Sequence, residues 1–451
     1  IFTYSEWKSN DVAFGEKPKE IWNSKSGKPM PLNTKNNELH NVQSKEGLPR
    51  ESGEVSQGAE QASGSANGTG AERSPEQNRA ERSGYQHPVT QNNNRRNNHG
   101  ERGVDYAPTS PKARFNANVE AIKLMRQLMD DGIEAPSQEQ MEVLRKYSGW
   151  GGMGTFFNDA TTAEYRTLLD LLDEEEFKTA QMSINSAYFT PATVIDSLWD
   201  IAKAMGFKGG NMLEGSAGIG NIIGQMPKDM ISRSNIEAVE IDKISGNILK
   251  LLYPDAKIHI TGFQDVKIPN GTVDLAITNV PFVTGLHVFD KVDKDLSRRF
   301  TNIHDFCIAK NIRKLREGGI GIFISSSGTL DKSNELRAWI VDEGQADVVG
   351  AFRLNNTTFG GTKVTSDIIV VRKRTGGIKS DNAIDVSKAS PIRIGSYEDK
   401  FGDEKQTSMV VNDYFKEHPE MMAGEMAFGY EKGDTFRPGS YGLYPVEGME
   451  I

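Results

Sequence analysis

Hydrophobic positions along the chain fall into four regimes. From about residue 24 to 110 branched aliphatics almost vanish, and Ser, Gly, Asn, Gln, Glu, Lys and Arg dominate, as in Gln91-Asn92-Asn93-Asn94-Arg95-Arg96-Asn97-Asn98. Such a stretch cannot bury enough apolar area to offset its ordering entropy, so residues 1–110 are expected to be mostly a disordered, low-complexity linker. A solvated tether is the plainer account of it, against a basic nucleic-acid arm built on Arg95, Arg96 and Arg102. Between Ala113 and Phe177 the spacing turns helical: Val119, Ile122, Leu124, Met125, Leu128 and Met129, then Met141, Val143, Leu144 and Tyr147. This predicts a helical subdomain over 111–185, with a helix start at Pro136-Ser137 and Glu139 in its first turn.

From Ser186 to about Arg374 short β-branched runs alternate with amphipathic stretches. The runs are Asn211 to Glu214, Ile236 to Glu240, Lys257 to Ile260, Val273 to Thr278, Ile320 to Ser325, Val348 to Arg353 and Ser366 to Arg372. That alternation predicts an α/β domain over 186–375 with a doubly wound, largely parallel sheet, and ligands beyond the carboxyl ends of its strands. After Lys373 the pattern decays into polar turns, leaving a C-terminal extension over 376–451 with Tyr414-Phe415 and Met421-Met422 as its clear apolar clusters.

Composition narrows the function classes. Hydrophobic residues make up 36% of the 451 and there are 45 Gly, so the folded part is expected to be smaller than the length implies. The formal charge of -9 carries no global basic field, although a local basic groove can exist on an acidic protein. A single cysteine, Cys307, excludes an internal disulfide framework and fits a reducing cytoplasm. The seven histidines show no HExxH-type spacing, so no metal is expected. No long apolar run and no signal peptide are present, so the protein is expected to be cytoplasmic and to have no membrane partner. It opens on Ile1 and stops at Ile451 without a closing turn, and is read as a piece of something longer.

Two segments carry the chemistry. In the first, Glu214-Gly215-Ser216-Ala217-Gly218-Ile219-Gly220-Asn221 ends a strand in a glycine turn, where backbone can approach a ligand and the amides of a following helix can face it. Glu214 would repel a pyrophosphate but suits a cationic cofactor such as S-adenosylmethionine. Glu240 ends the next strand, where an acid accepts hydrogen bonds from ribose hydroxyls, with Asp242 as the fallback. In Gly262-Phe263-Gln264-Asp265, Phe263 could cover an adenine ring and Gln264 bond its amine, unless Phe263 is core. Tyr188-Phe189-Thr190-Pro191 precedes a helix: Thr190 and Pro191 are either its cap and first residue, or join Tyr188 over the methionine end of the cofactor.

The second segment is Asn279-Val280-Pro281-Phe282. An exocyclic amine is a poor nucleophile because its lone pair is conjugated with its ring, so catalysis needs acceptors that align its N-H bonds. The Asn279 side-chain oxygen and a backbone carbonyl near Pro281 supply two without a titrating base, and Phe282 offers a stacking face. Phe359, among small polar residues in Asn355 to Gly361, is either exposed for base stacking or an anchor tucked into the core. Cys307 is expected to be inert packing, and His304-Asp305 structural.

The order of these motifs resembles the gamma class of DNA amino-methyltransferases. With Tyr147-Ser148-Gly149-Trp150-Gly151-Gly152 ahead of the core, it looks like the adenine-specific methylases in very large proteins of phages, plasmids and conjugative elements, often fused to a downstream helicase. The resemblance covers about residues 112 to 430. It implies a Rossmann-like class I S-adenosylmethionine-dependent methyltransferase core acting on DNA at adenine N6, in the setting of mobile elements and restriction-modification. It makes Glu214, Ser216, Gly218 and Gly220 the methionine-side pocket and Glu240 the ribose acid; with Tyr188, Thr190, Pro191, Ala217, Asn221, Phe263, Gln264 and Asn279 they form the expected cofactor pocket. Asn279 and Pro281 become acceptors for the target amine, and Phe282 and Phe359 a sandwich around an extruded base. Asn rather than Ser at 279 favours adenine N6 over cytosine N4. Val280 departs from the class, which usually has proline there. The rivals are methylation of RNA or of a protein glutamine amide, and a decayed DNA-binding or scaffold module.

Overall fold

The computed structural model describes residues 97–184, 188–283, 287–435 and 437–446, with the backbone of Glu20–Asn23 and Lys28–Pro31. Those two short segments, β1 and β2, pair antiparallel as Glu20↔Pro31 through Asn23↔Lys28, within a separate unit over 16–88. The rest of the expected linker up to residue 96 lies outside the described residues.

Residues 97–110 correct the linker's expected end, because they are tied to the core. The Asn98 amide donates to Leu252 O at 2.7 Å, Gly100 N to Gly224 O at 2.8 Å and Gly103 N to Gln225 Oε1 at 2.9 Å. A polar sequence hides this, since the segment is held by backbone and side-chain hydrogen bonds rather than by an apolar stripe. The helical region follows as Pro111–Asp130, Gln138–Leu144, Thr155–Asn158, Ala163–Leu171 and Glu174–Ser183. Ser137 forms a reciprocal capping box with Gln140, which satisfies amides that the short second helix cannot pair internally.

The sheet among the described residues has seven strands: β3 (Gly210–Glu214), β4 (Ser234–Glu240), β5 (Lys257–Ile260), β6 (Val273–Asn279), β7 (Leu315–Ser326), β8 (Ala346–Leu354) and β9 (Ser366–Lys373). Their order is β5-β4-β3-β6-β7-β9-β8, with β9 antiparallel to both neighbours and the other pairs parallel. This is the doubly wound, Rossmann-like order expected of a class I methyltransferase core. Central strands read as continuous apolar runs because both faces are covered, and Leu275, Ala276 and Ile277 of β6 are all fully buried.

The two faces divide by residue parity. Met212, Ala238, Leu275 and Ile277 face helices Pro111–Asp130, Ala192–Ala204 and Lys243–Leu252. Leu213, Val239 and Ala276 face helices Ile303–Lys314 and Asn334–Val341.

The C-terminal extension is more ordered than its polar pattern implied. It forms two antiparallel hairpins, β10 (Ala389–Glu398) with β11 (Glu404–Asn412) and β12 (Glu425–Phe428) with β13 (Tyr441–Tyr444). Most of β10 is exposed, so no hydrophobic alternation announced it. A buried ion network fastens the extension to the sheet. Arg353 on β8 pairs with Asp367 on β9 at 2.8 Å and with Asp331 at 2.8 Å, while Asp331 also accepts the Asn412 amide at 2.9 Å. Burial pushes the Asp367 carboxyl up to about 6 even beside Arg353.

Replacing Arg353 strands two carboxylates in the interior, so Arg353→Met is expected to lose about 3–5 kcal/mol of stability in urea unfolding. Adding Asp331→Asn and Asp367→Asn should recover part of it; equal stability of Arg353→Met and the parent would contradict the network.

Candidate active site

Parallel pairing places β3 between β4 and β6, the point at which the strand order reverses. β3 and β6 share two register pairs, Met212↔Leu275 and Leu213↔Ala276, and pairing stops there. Beyond them lie the glycine turn on one side and Asn279 on the other. Period-2 alternation puts Glu214 on the face of Met212, Glu240 on that of Ala238, and Asn279 on that of Leu275 and Ile277. All three therefore project on the side of the helical region.

The turn is knitted to β4. Ala217 N donates to Val239 O at 2.9 Å and Gly218 N to Glu240 Oε2 at 2.7 Å, while Glu240 Oε1 accepts Asp242 N at 2.8 Å. Gly218 has φ 56°, and a Cβ on it would lie 3.1 Å from the Phe189 ring. Gly220 serves packing: its φ is 81°, and a Cβ there would meet Tyr253 at 2.5 Å and Leu249 at 2.7 Å. Tyr253 Oη donates to Gly220 O at 2.6 Å, fixing the turn from behind. Ser216 is half-buried.

Glu214 is 2% exposed, and its Oε2 has no hydrogen-bond partner. Burial, with the nearby Glu240 carboxylate second, holds its carboxyl well above the usual range; the Ile223 amide opposes the shift. Glu240, at the end of its strand, is only partly covered, yet burial followed by Asp242 raises it to about 7. Two carboxyls that resist ionisation side by side are a site for positive charge or for several hydrogen-bond donors.

Asn279 Nδ2 donates to Thr190 Oγ1 at 3.2 Å, leaving its Oδ1 buried and unpaired. Asn311, on the helix beneath the sheet, repeats the pattern: Nδ2 donates to Cys307 O at 2.9 Å, and Oδ1 has no partner. A Cβ on Gly215 would meet Asn311 at 3.0 Å and the Phe263 ring at 3.2 Å. Three buried oxygens without hydrogen-bond partners thus lie at or beside the ends of β3 and β6, a set of acceptors that fits the N-H groups of a cationic amine and an aromatic amine. Asn311 escaped sequence reading because only folding brings its helix under the turn.

Val280 carries a finding of its own. Its N-H donates to Ile324 O at 3.0 Å and its side chain is 2% exposed, so it extends the β6–β7 pairing by one residue. A proline would have no N-H for that bond. Rigidity that a second proline would impose by its ring comes here from the ladder. Pro281 is half-buried, and the half-buried Phe282 packs against both cores.

Several expected roles change. Thr190 does not cap the next helix: it bonds Asn279, and the helix runs Ala192–Ala204 with Pro191 at the cap position. Its first amide is taken by Asp105 Oδ1, 2.9 Å from Ala192 N, a residue read as linker. Tyr188 Oη donates to Gly361 O at 3.1 Å, so that segment reaches the loop carrying Phe359. Phe359 itself is 3% exposed and packed in the core, so it offers no exposed stacking face; the loop-anchor alternative holds.

The helix after the glycine turn is one turn, Asn221–Gly224, and Asn221 lines a small crevice with Asn98, Tyr106, Arg145 and Tyr253. Phe263 is buried in the core, with Lys310 Nζ 5.1 Å from its centroid. Gln264 folds back over Gly262 and bonds Asp265 at 3.0 Å. Asp242 caps helix Lys243–Leu252 through Ser245 N at 2.7 Å, which occupies the fallback acid. Burial pushes the Cys307 thiol up to about 12, and His304 and Asp305 are both buried with 3.8 Å between Nε2 and Oδ1.

No family model matches the chain. Over 266 residues, 58% of its length, it is 27% identical to the defense against restriction protein B of Escherichia phage P1; the match covers 10% of that protein, so the chain spans about a tenth of it. Among solved structures it is similar to a putative class I S-adenosylmethionine-dependent methyltransferase from Listeria monocytogenes, at 15% identity, covering 58% of this chain and 90% of that one with a TM-score of 0.37. It is also similar to the type I restriction-modification system methyltransferase subunit from Streptococcus thermophilus, at 14% identity over 57% and 66% of the two chains with a TM-score of 0.37. The strand order, not these likenesses, carries the fold. No helix among the described residues is long and apolar enough to cross a membrane.

The raised acids make the stability of the fold pH-sensitive. Glu240, at about 7 when folded against 4.5 ordinarily, keeps a proton that the unfolded chain releases, so stability falls as pH rises from about 4.5 through 7. Thermal melts of Glu240→Gln should show a smaller drop between those pH values than the parent; an identical slope would rule Glu240 out as the source.

Proposed function

We propose that this chain is an S-adenosylmethionine-dependent DNA methyltransferase that modifies adenine N6 in a base turned out of the helix. The observation that carries the reading is the pair of unpartnered acceptors, Glu214 Oε2 and Asn279 Oδ1, on one face at the tips of adjacent strands. One suits a cationic cofactor and the other an exocyclic amine. The likeness to a phage protein named for defense against restriction is consistent with DNA as the substrate.

The cofactor would bring a methyl group on a positive sulfur, whose reactivity is its own; the protein supplies binding and alignment. Glu214 would hold the cofactor's positive end, and Glu240, already bonded to Gly218 N, would accept from ribose hydroxyls with its remaining lone pairs. Phe189 and Phe263 flank the turn and exclude water. Thr190 holds the Asn279 amide with Oδ1 free, so that oxygen would accept one N-H of the target amine while a backbone carbonyl beside Pro281 takes the other. Phe282 remains as the stacking face for the base, since Phe359 is enclosed.

Asn279→Ala should lower methyl transfer to DNA by about 10³-fold or more while leaving cofactor affinity within a few-fold, by calorimetry beside a tritium-transfer assay. Equal loss of both would contradict the assignment. Because burial raises the Glu214 carboxyl well above its usual range, a positively charged cofactor bound beside it should pull that carboxyl back down and release protons. Calorimetry in buffers of different ionisation enthalpy reads that release directly, and a buffer-independent heat would remove Glu214 from the role.

A further inference from the structure

The segment just beyond the Asn279 motif is built in an unusual way. Along residues 287–293, Phe289 is 60% exposed and Val292 51%, while Asp290 and Asp293 are 0% and 2% exposed. Phe289 and Val292 point out and the two carboxylates point in, while Val288 packs against the core. Asp290 Oδ1 accepts both Val292 N and Asp293 N at 2.7 Å, and its Oδ2 pairs with the fully buried Lys310. Asp293 pairs with the equally buried Lys314 at 2.8 Å and with Arg313 at 3.3 Å. Buried pairs of this kind stabilise little net of desolvation, but they fix geometry, and here the geometry fixed is a backbone that displays an aromatic ring to solvent.

Charge follows the same division. The exposed cations of 287–298 are Lys291, Lys294 and Arg298, and none of them is paired with a carboxylate among the described residues. Of the carboxylates, Asp290 and Asp293 are neutralised inside and the exposed Asp295 is held by Arg313 at 2.6 Å. A protein of net charge -9 thus carries a locally cationic ridge with an aromatic at its crest. The ridge is anchored one side chain from the glycine turn, because Lys310 lies over the Phe263 ring that borders Gly215.

We propose that residues 287–298 contact duplex DNA beside the Asn279 motif, with Lys291, Lys294 and Arg298 on phosphates and Phe289 wedged against the base stack where an extruded nucleotide leaves a gap. This rests on DNA being the substrate, as argued above. Cations alone would suit any anion; the rigidly presented ring beside them selects a partner with stacked bases.

The test uses the full chain and a fluorescently labelled DNA duplex, followed by anisotropy between about 50 and 200 mM salt. The variant K291Q/K294Q/R298Q should bind at least about tenfold more weakly, and its slope of log affinity against log salt should fall by about 2 to 3. Phe289→Ala should weaken binding about fivefold or more with the parent's slope, since it removes stacking and not charge. An unchanged slope in the triple variant, or parental affinity in Phe289→Ala, overturns the proposal. Methyl transfer to DNA by the parent, run alongside, separates the two readings: transfer by the parent with normal binding by the variants sinks the ridge alone, whereas a parent that neither binds nor methylates the duplex sinks both. The changed residues are exposed, and thermal melts confirm that the variants are folded.

Discussion

The early parting of β3 from β6 is the constraint on which the rest depends. Two register pairs hold these strands together at the point where the sheet reverses direction, and beyond them backbone amides and side chains are left without strand partners. The core decides what faces that gap. Met212, Leu275 and Ile277 must be buried against the helical region, and strand alternation then obliges Glu214 and Asn279 to point the same way. A slip of one residue would expose the core and bury the site's polar groups on the wrong side. Core packing and site orientation are thus one requirement.

Polar groups gathered there are costly to bury. Burial makes both Glu214 and Glu240 harder to ionise, helped by Glu240 at the first and by Asp242 at the second, and the side-chain oxygens of Asn279 and Asn311 have nothing to bond. Such groups occur elsewhere in the chain too, but here three lie at or beside the ends of two adjacent strands, which suits a site for donors brought by a ligand. The surrounding structure is correspondingly stiff: Val280 continues the β6–β7 ladder, Thr190 fixes the Asn279 amide, and Tyr253 braces Gly220.

Distant segments complete that bracing. Asp105 caps the helix that follows Thr190, and Asn98 Nδ2 lies 3.4 Å from the Tyr253 hydroxyl that holds the glycine turn. At the other end of the chain, Ala423 and Leu443 carbonyls accept from Asn355 Nδ2 and Asn356 N, at 3.1 and 2.8 Å, and so anchor the loop that meets Tyr188. Local sequence could not reveal these ties because they join polar residues far apart in the chain, through single hydrogen bonds with no periodic signature.

Much of the core was legible because burial writes itself into local pattern. The strands carrying Glu214, Glu240 and Asn279 were read from β-branched runs, and the helix start at Ser137 from its capping residues, since one-dimensional spacing and burial are the same physical fact there. Exposure, pairing and proton affinity were not legible, because each depends on what another part of the chain brings. Phe359 lies in a polar loop yet is packed inside, Asn221 lines a separate crevice, and Thr190, whose sequence left a cap and a cofactor contact open, bonds Asn279 instead of capping the helix. Sequence by itself determined which strands of the central sheet form, which face of each is apolar, and hence the direction of the site's key side chains. Tertiary structure alone decided which polar atoms were left unpaired and how far two carboxyls were pushed from their usual range, because both quantities are sums over neighbours that chain order does not specify.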